Sequence, residues 1–326
     1  MYLKGVSVII STYNGTKTIG LALEYLANQI CQCPCEIILV DNASTDETKA
    51  FCDTWWDKYG NKSISYKSFF QPIPGKSYAQ EMGYAEASYE YLLVCDDDNL
   101  LNEAYVQLSF DIMESDSTIG ALGGWCDAMF EGNKPDWFDT YSKYFAVGKQ
   151  GKSSGDITNK KGCLYGAGMV IRKSHRLQLN ELGFKPLLTC RKGDSLSSGG
   201  DTEYCYALRL LGYKIWYDER LHFFHYMLAK RVNLEYVTKV RKAISYSNFV
   251  CDTYLDEISR KESHGTILRK KIKKELKKHF FQKIKNRLIG SFEEKEKSKE
   301  YFRNLYYLKF KQSEYFENRN SIKKWL

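Results

Sequence analysis

The stretch Leu92-Leu93-Val94-Cys95-Asp96-Asp97-Asp98-Asn99-Leu100-Leu101 sets three adjacent carboxylates at the end of an apolar run. Such a run, bounded by polar residues, predicts a buried strand. Alternation along it sends Asp96 and Asp98 to one face and Asp97 to the other. Two carboxylates on one face repel unless a positive group separates them, either a hard divalent cation or a basic side chain. The competing reading is a solvated acidic turn. Two further carboxylates stand at element boundaries. Asp41 closes Glu36-Ile37-Ile38-Leu39-Val40, and Asp201 lies in Gly199-Gly200-Asp201-Thr202-Glu203, just before the helical period Cys205, Leu208 and Leu211.

The elements that would position these groups alternate. Val6–Thr12 is a β-branched strand broken by Tyr13-Asn14-Gly15. A helix follows with Thr16 as its cap and Ile19, Leu23, Leu26 and Ala27 at helical spacing. Strand Glu36–Asp41, a helix to about Tyr59, strand Ser65–Phe70, a Pro-Gly loop, helix Ser77–Ser88 and the triple-Asp strand come next. This β-α-β-α-β-α-β order predicts an α/β fold, a Rossmann-like nucleotide-binding parallel sheet with helices on both faces. Ligands of such sheets bind at the carboxyl ends of the strands. No G-x-G-x-x-G follows the first strand and no G-x-x-x-x-G-K-[ST] occurs, so phosphates need another hold. A cation on the triple Asp provides one.

Beyond helix Asn102–Glu114, Ile119–Trp125 reads as a strand. Phe130–Ser153 is aromatic and irregular. With Trp137 in it, this segment is either a groove-lining loop or a satellite core, the two readings being equally supported. Cys163–Ile171 reads as a strand whose small residues Gly166-Ala167-Gly168 permit close approach. Lys214–Tyr217 is a short strand, with His222 and His225 just past it.

The net charge of +8 is unevenly placed. From Arg260 onward there are roughly 21 basic and 8 acidic residues, about +13, which leaves about −5 for the rest. In that tail Ile272, Leu276, Phe280, Ile284 and Leu288 recur every four residues among lysines, the pattern of a basic amphipathic helix. It suits an anionic membrane surface; a surface helix packed on the main domain is the plainer reading. No nucleic-acid recognition motif accompanies it, so no nucleic acid is expected. The ten cysteines are scattered, several within apolar runs, and read as reduced buried thiols of a cytosolic protein. The N-terminus runs into a strand without a signal-peptide core, and no apolar stretch is long enough to span a bilayer.

Val8-Ile9-Ile10-Ser11-Thr12-Tyr13-Asn14, Ile38–Asp46, the Asp96–Asn99 stretch, and Gly199-Gly200-Asp201-Thr202-Glu203 with Arg209 and Gly212-Tyr213-Lys214 fall in the order seen in family 2 glycosyltransferases. The chain resembles these inverting enzymes of the GT-A fold from Val6 to about Tyr226. The resemblance implies that Thr12, Tyr13 and Asn14 flank the nucleotide base and ribose and that Asp41 accepts from a uracil nitrogen. It makes Asp96 and Asp98 the D-x-D pair, Asp98 being the direct ligand of Mn²⁺ or Mg²⁺ and Asp96 or Asp97 lying near the ribose. His225, ahead of His222, is the further metal ligand. Gly166, Ala167 and Gly168 lie on the acceptor side, to which the Trp137 loop is also assigned. Asp201 is the catalytic base. Two departures stand out. Ala79-Gln80-Glu81-Met82-Gly83 lacks the arginine of many relatives, so that either Lys76 substitutes for it or its role is not needed here, and Gly200 replaces the acid that often precedes the base.

The expected organisation is a GT-A domain over 1–230 and a helical, Lys-rich extension over 231–326. The expected activity is inverting transfer of a sugar from a nucleotide-diphosphate donor, a UDP-sugar, to a saccharide or lipid-linked acceptor in cell-surface polysaccharide assembly. The expected location is cytoplasmic, with the tail as the part that could touch the inner face of the cytoplasmic membrane. A sugar nucleotidyltransferase would show a Gly-rich basic loop after its first strand, where this chain has Tyr13-Asn14-Gly15. A membrane or nucleic-acid adaptor would not need carboxylates at the ends of three segments.

Overall fold

The computed structural model describes residues 2–188, 198–259 and 264–326. The part of the Gly-rich stretch from Lys192 to Ser197 lies outside the described residues. The first half runs β1 (Leu3–Thr12), α1 (Ile19–Ala27), β2 (Cys35–Asp41), α2 (Thr48–Tyr59), β3 (Ser65–Phe70), α3 (Lys76–Glu86), β4 (Tyr89–Asp96), β5 (Asn99–Leu101) and α4 (Tyr105–Ser115). Then follow β6 (Ile119–Phe130), α5 (Phe138–Tyr141), β7 (Gly155–Asp156), β8 (Val170–Arg172), α6 (Lys173–Glu181), α7 (Gly200–Leu210) and β9 (Lys214–Met227). Four helices close the chain: α8 (Leu234–Ile258), α9 (His264–Ile289), α10 (Phe292–Phe310) and α11 (Gln312–Lys323).

One sheet has the order β3-β2-β1-β4-β8-β6-β9-β5, with β7 added against β9. The β3-β2-β1-β4 half is parallel, as the alternating pattern predicts. The other half is not: β8 runs antiparallel to both β4 and β6, and β5 antiparallel to β9. The sheet is therefore mixed. The period of two divides β1 cleanly. Val8 and Ile10 pack with α1, α2 and α4, while Ile9 faces the opposite core with Ile38, Val40 and Leu92. That second core continues into Phe249, Tyr254, Leu308 and Trp325, so the C-terminal helices share it with the sheet.

Several boundaries differ from expectation. Of the Cys163–Ile171 stretch only Val170 and Ile171 are strand, the start of β8, because Gly166-Ala167-Gly168 forms a tight turn instead. β9 does not stop at Tyr217 but continues to Met227, which puts His222 and His225 on the strand itself. The α1 cap is Thr18 rather than Thr16.

Candidate active site

Three strand ends meet at one corner. In register, Thr12 of β1 lies opposite Asp41 of β2, and Ser11 opposite Asp96 of β4. The parallel half therefore delivers a hydroxyl and two carboxylates to its carboxyl edge, where α/β sheets bind ligands.

The three aspartates do not alternate. β4 ends at Asp96, and Asp97 and Asp98 lie in the following turn, so the period of two no longer applies. Asp96 pairs with Lys76 at the start of α3. Asp97 accepts from Thr12 Oγ1 at 2.7 Å. Asp98 Oδ2 faces His225 Nε2 at 3.2 Å and accepts from Arg231 Nη1 at 2.7 Å. Burial opposes ionisation of Asp98, but His225 and Arg231 outweigh it and hold the carboxyl well below its ordinary range. Burial, then the charge of Asp98, pushes Asp97 up to about 7, against the Thr12 hydrogen bond.

Because the Phe145 carbonyl can only accept, its 3.0 Å contact with His225 Nδ1 assigns the proton to Nδ1. His225 Nε2 is then the ring atom that faces the Asp98 carboxylate. With the Nε2 proton displaced, Nε2 and Asp98 Oδ2 could together ligate a cation, and the carbonyl behind the ring is the usual outer partner of a metal-ligating histidine. These residues fit a divalent ion that takes its other ligands from phosphates and water. In the structure Arg231 supplies the positive charge, its Nη1 standing 3.4 Å from His225 Nε2. Among the described residues no group of three His, Cys, Asp or Glu side chains is arranged to hold a metal.

A cleft of about 180 Å³ opens here, lined by Tyr13, Asn14, Gly15, Asp97, Asp98, Tyr226 and Arg231, among others. A larger depression of about 450 Å³ around Asp53, Trp56 and Tyr66 contains none of the sequence-predicted groups. On one side of the corner two left-handed residues, Asn14 (φ 50°) and Ala43 (φ 58°), fold the turns after β1 and β2. Asn14 Oδ1 accepts from Thr45 N at 2.8 Å, its own backbone N–H donates to Ser44 Oγ, and Asp41 Oδ1 accepts from Ser44 N at 3.0 Å. For Ala43 this backbone is a strained choice that the surrounding bonds must hold. Asn42 positions Lys76 from behind: its Oδ1 accepts from Gly75 N and its Nδ2 donates to Ile73 O.

Asp201 lies in the first turn of α7 but does not cap it; Gly199, at φ 101°, holds that place. Asp201 Oδ2 accepts from Gly166 N at 2.7 Å and Oδ1 from Thr202 N at 2.9 Å. The acceptor-side turn and the carboxylate are thus one unit. Gly168 has φ 70°, donates to Val94 O, and accepts from Tyr105 Oη at 2.8 Å. Ala167 packs on the core beneath. Trp137 joins an aromatic cluster with Phe138, Tyr141 and Phe145, a satellite core over Met227 and Val237. Its Phe145 supplies the carbonyl behind His225. His222 is turned to Asp127 at 3.3 Å and packs at a tilt beside Trp125, apart from Asp98.

Two residues were missed. Arg231 follows β9, where the strand pattern stops and only a basic Ala-Lys-Arg remains as a signal. Glu203 is fully buried and accepts from Leu187 N, Leu188 N and Tyr254 Oη, tying α7 to α8. Its acid character within an otherwise apolar helix face was the available hint.

The mixed sheet with carboxylates gathered at its strand ends has the GT-A type of fold. The chain belongs to glycosyl transferase family 2, whose model matches residues 7–176, just over half of it. It is similar to glycosyltransferase GlyG of Streptococcus pneumoniae, 27% identical over 115 residues, covering 35% of this chain and 37% of that protein. The matched region is thus little more than a third of either. Among solved structures, S. aureus TarS 1-349 in complex with UDP-GlcNAc superposes with a TM-score of 0.52 at 15% identity, covering 98% of this chain and 89% of that one. GalNAc-T7 with UDP, GalNAc and Mn²⁺ gives 0.53 at 15% identity, covering 78% and 50%.

Proposed function

We propose that the protein transfers a sugar from a UDP-sugar to a saccharide or lipid-linked acceptor with inversion, in cell-surface polysaccharide assembly on the cytoplasmic side of a membrane. The observation that carries this reading is the largely enclosed Asp98, faced by His225 Nε2 and Arg231 beside the Thr12–Asp97 pair. Support for the donor comes from the TarS and GalNAc-T7 structures, which contain UDP-GlcNAc and UDP. GalNAc-T7 also contains Mn²⁺.

In this reading Asp41 and the Tyr13-Asn14 turn hold the base and ribose. Asp98 and His225 would hold Mn²⁺ or Mg²⁺, with Asp96 as the further carboxylate of the pair, and the ion would supply positive charge against that developing on the diphosphate. Arg231 and Lys76 turn their charge to the same phosphates. Asp201 accepts the proton of the acceptor hydroxyl as that oxygen attacks the anomeric carbon from the face opposite the diphosphate. The Gly166 N–H fixes Oδ2 of this base, and Gly166-Ala167-Gly168 with the Trp137 segment borders the acceptor.

A thermal-shift series with nucleotides and nucleotide sugars, with and without Mn²⁺, tests the reading. UDP with metal should raise the melting temperature. No response to any nucleotide would overturn it.

A further inference from the structure

The four-residue repeat on α9 does not face the core along its length. Four residues advance a helix by one turn plus about 40°, so the stripe winds off the buried side. Leu268 is 2% exposed and Ile272 still packs on the core. Leu276 is 41% exposed, Phe280 62% and Leu288 81%, while Glu275 and Gln282 occupy the inward side. Phe281, Ile284 and Ile289 are also out in solvent. The apolar series thus emerges on the same exposed surface as Lys273, Lys274, Lys277 and Lys283. An apolar surface of this extent on a soluble face marks an interaction site.

We propose that the outer face of α9, continued at the α9–α10 turn by Phe292, docks on an anionic lipid bilayer. Three observations select this occupant. Large apolar side chains alternate with lysines, the composition that buries in the headgroup region while lysines meet lipid phosphates. A second copy would bring like charges together across a two-fold contact. A polyanion such as nucleic acid would use the lysines but leave Leu276, Ile284, Leu288 and Ile289 without base-stacking partners.

The turn also has an address. Phe292 meets Tyr141 edge-on with ring centroids 6.0 Å apart. Tyr141 belongs to the aromatic cluster whose Phe145 carbonyl holds His225. Docking through this turn therefore sets the membrane contact against the same aromatic cluster that backs His225. The inference deepens the proposed function, but vesicle binding requires neither donor nor metal, so the two readings fail separately.

The test is flotation of the full chain with phosphatidylcholine vesicles that either contain or lack phosphatidylglycerol, compared with the F281E/L288E variant. Both side chains are solvent-exposed, so the variant should keep the wild-type melting temperature and UDP binding. The wild type should float with the anionic vesicles and be released by salt. The variant should bind at least about tenfold more weakly, as expected for removing two inserted apolar groups. Equal flotation of variant and wild type, or equal binding to neutral vesicles, would overturn the proposal. So would absence of flotation with a concentration-dependent dimer that the variant abolishes, which would assign the face to a second copy.

Discussion

Arg231 donates to Asp98 Oδ2 at 2.7 Å across 133 residues of chain. It reaches Asp98 because β9 carries the chain back beside β5, where His225 pairs with Asn99, and the following turn folds over the same corner. A guanidinium at this place compensates the half-buried carboxylate and competes with any cation that Asp98 and His225 would bind.

Arg231→Met should therefore separate two effects. Removing the competing charge should tighten Mn²⁺ binding to the nucleotide-free protein by about tenfold, the equivalent of one pKa unit of charge interaction. UDP affinity should fall, since a positive group on the phosphates is lost. Calorimetric titration of metal alone and of UDP alone measures each. Unchanged or weaker Mn²⁺ binding would show that Arg231 is not a placeholder for the ion.

Asp201→Asn keeps an oxygen for the Gly166 N–H, gives up the acceptor for the Thr202 N–H, and cannot take a proton. Turnover should drop by about 10²–10⁴, while UDP affinity stays at the wild-type value and the melting temperature falls only by the loss of that one hydrogen bond. Near wild-type transfer by a folded variant would remove Asp201 from the mechanism.

The parallel half of the fold was legible because buried strands written in Val, Ile and Leu and ended by Thr12, Asp41 and Asp96 need only local pattern. The other half, where parallel β6–β9 pairing stands among antiparallel β8 and β5, was not. β8 is three residues long, and its pairing with β4 and β6 is a long-range choice with no local signature. The faces of the three aspartates were misread for the same kind of reason. Alternation predicts faces only while a strand lasts, and β4 ends at Asp96. The α9 stripe was visible as a spacing, yet whether a four-residue repeat stays on one side depends on which part of the helix the core supports. Arg231 and Glu203 act through tertiary contacts with Asp98, Leu187 and Tyr254, which sequence spacing does not encode.

The Gly168 turn offers a stability test. At φ 70° an alanine is strained, and its Cβ would lie 2.5 Å from Tyr105 Oη and 3.0 Å from Phe223. Tyr105 is buried and hydrogen-bonded to the Gly168 carbonyl, so it has little freedom to give way. Gly168→Ala should cost about 1–3 kcal/mol, read as a lowered midpoint in urea. Gly183→Ala is the control: its φ is 85° but no atom lies within 4 Å. It should carry the backbone cost alone and destabilise less.

His175 gives a pH dependence that is independent of the active site. It is buried against the Tyr213 ring, with centroids 3.6 Å apart. Burial, and secondarily the Arg172 charge, lowers its pKa from 6.5 to about 4. Between those values the unfolded chain binds a proton that the folded chain refuses. Stability is therefore highest above about pH 6.5 and falls as pH drops toward 4, with no further loss from this group below that. At about 1.36 kcal/mol per unit, the full effect is on the order of 3 kcal/mol. Urea midpoints measured from pH 7 to 4.5 should fall more steeply for the wild type than for His175→Phe, which keeps a ring on Tyr213 without a titrating group. Parallel slopes for the two proteins would show that His175 protonates as readily folded as unfolded.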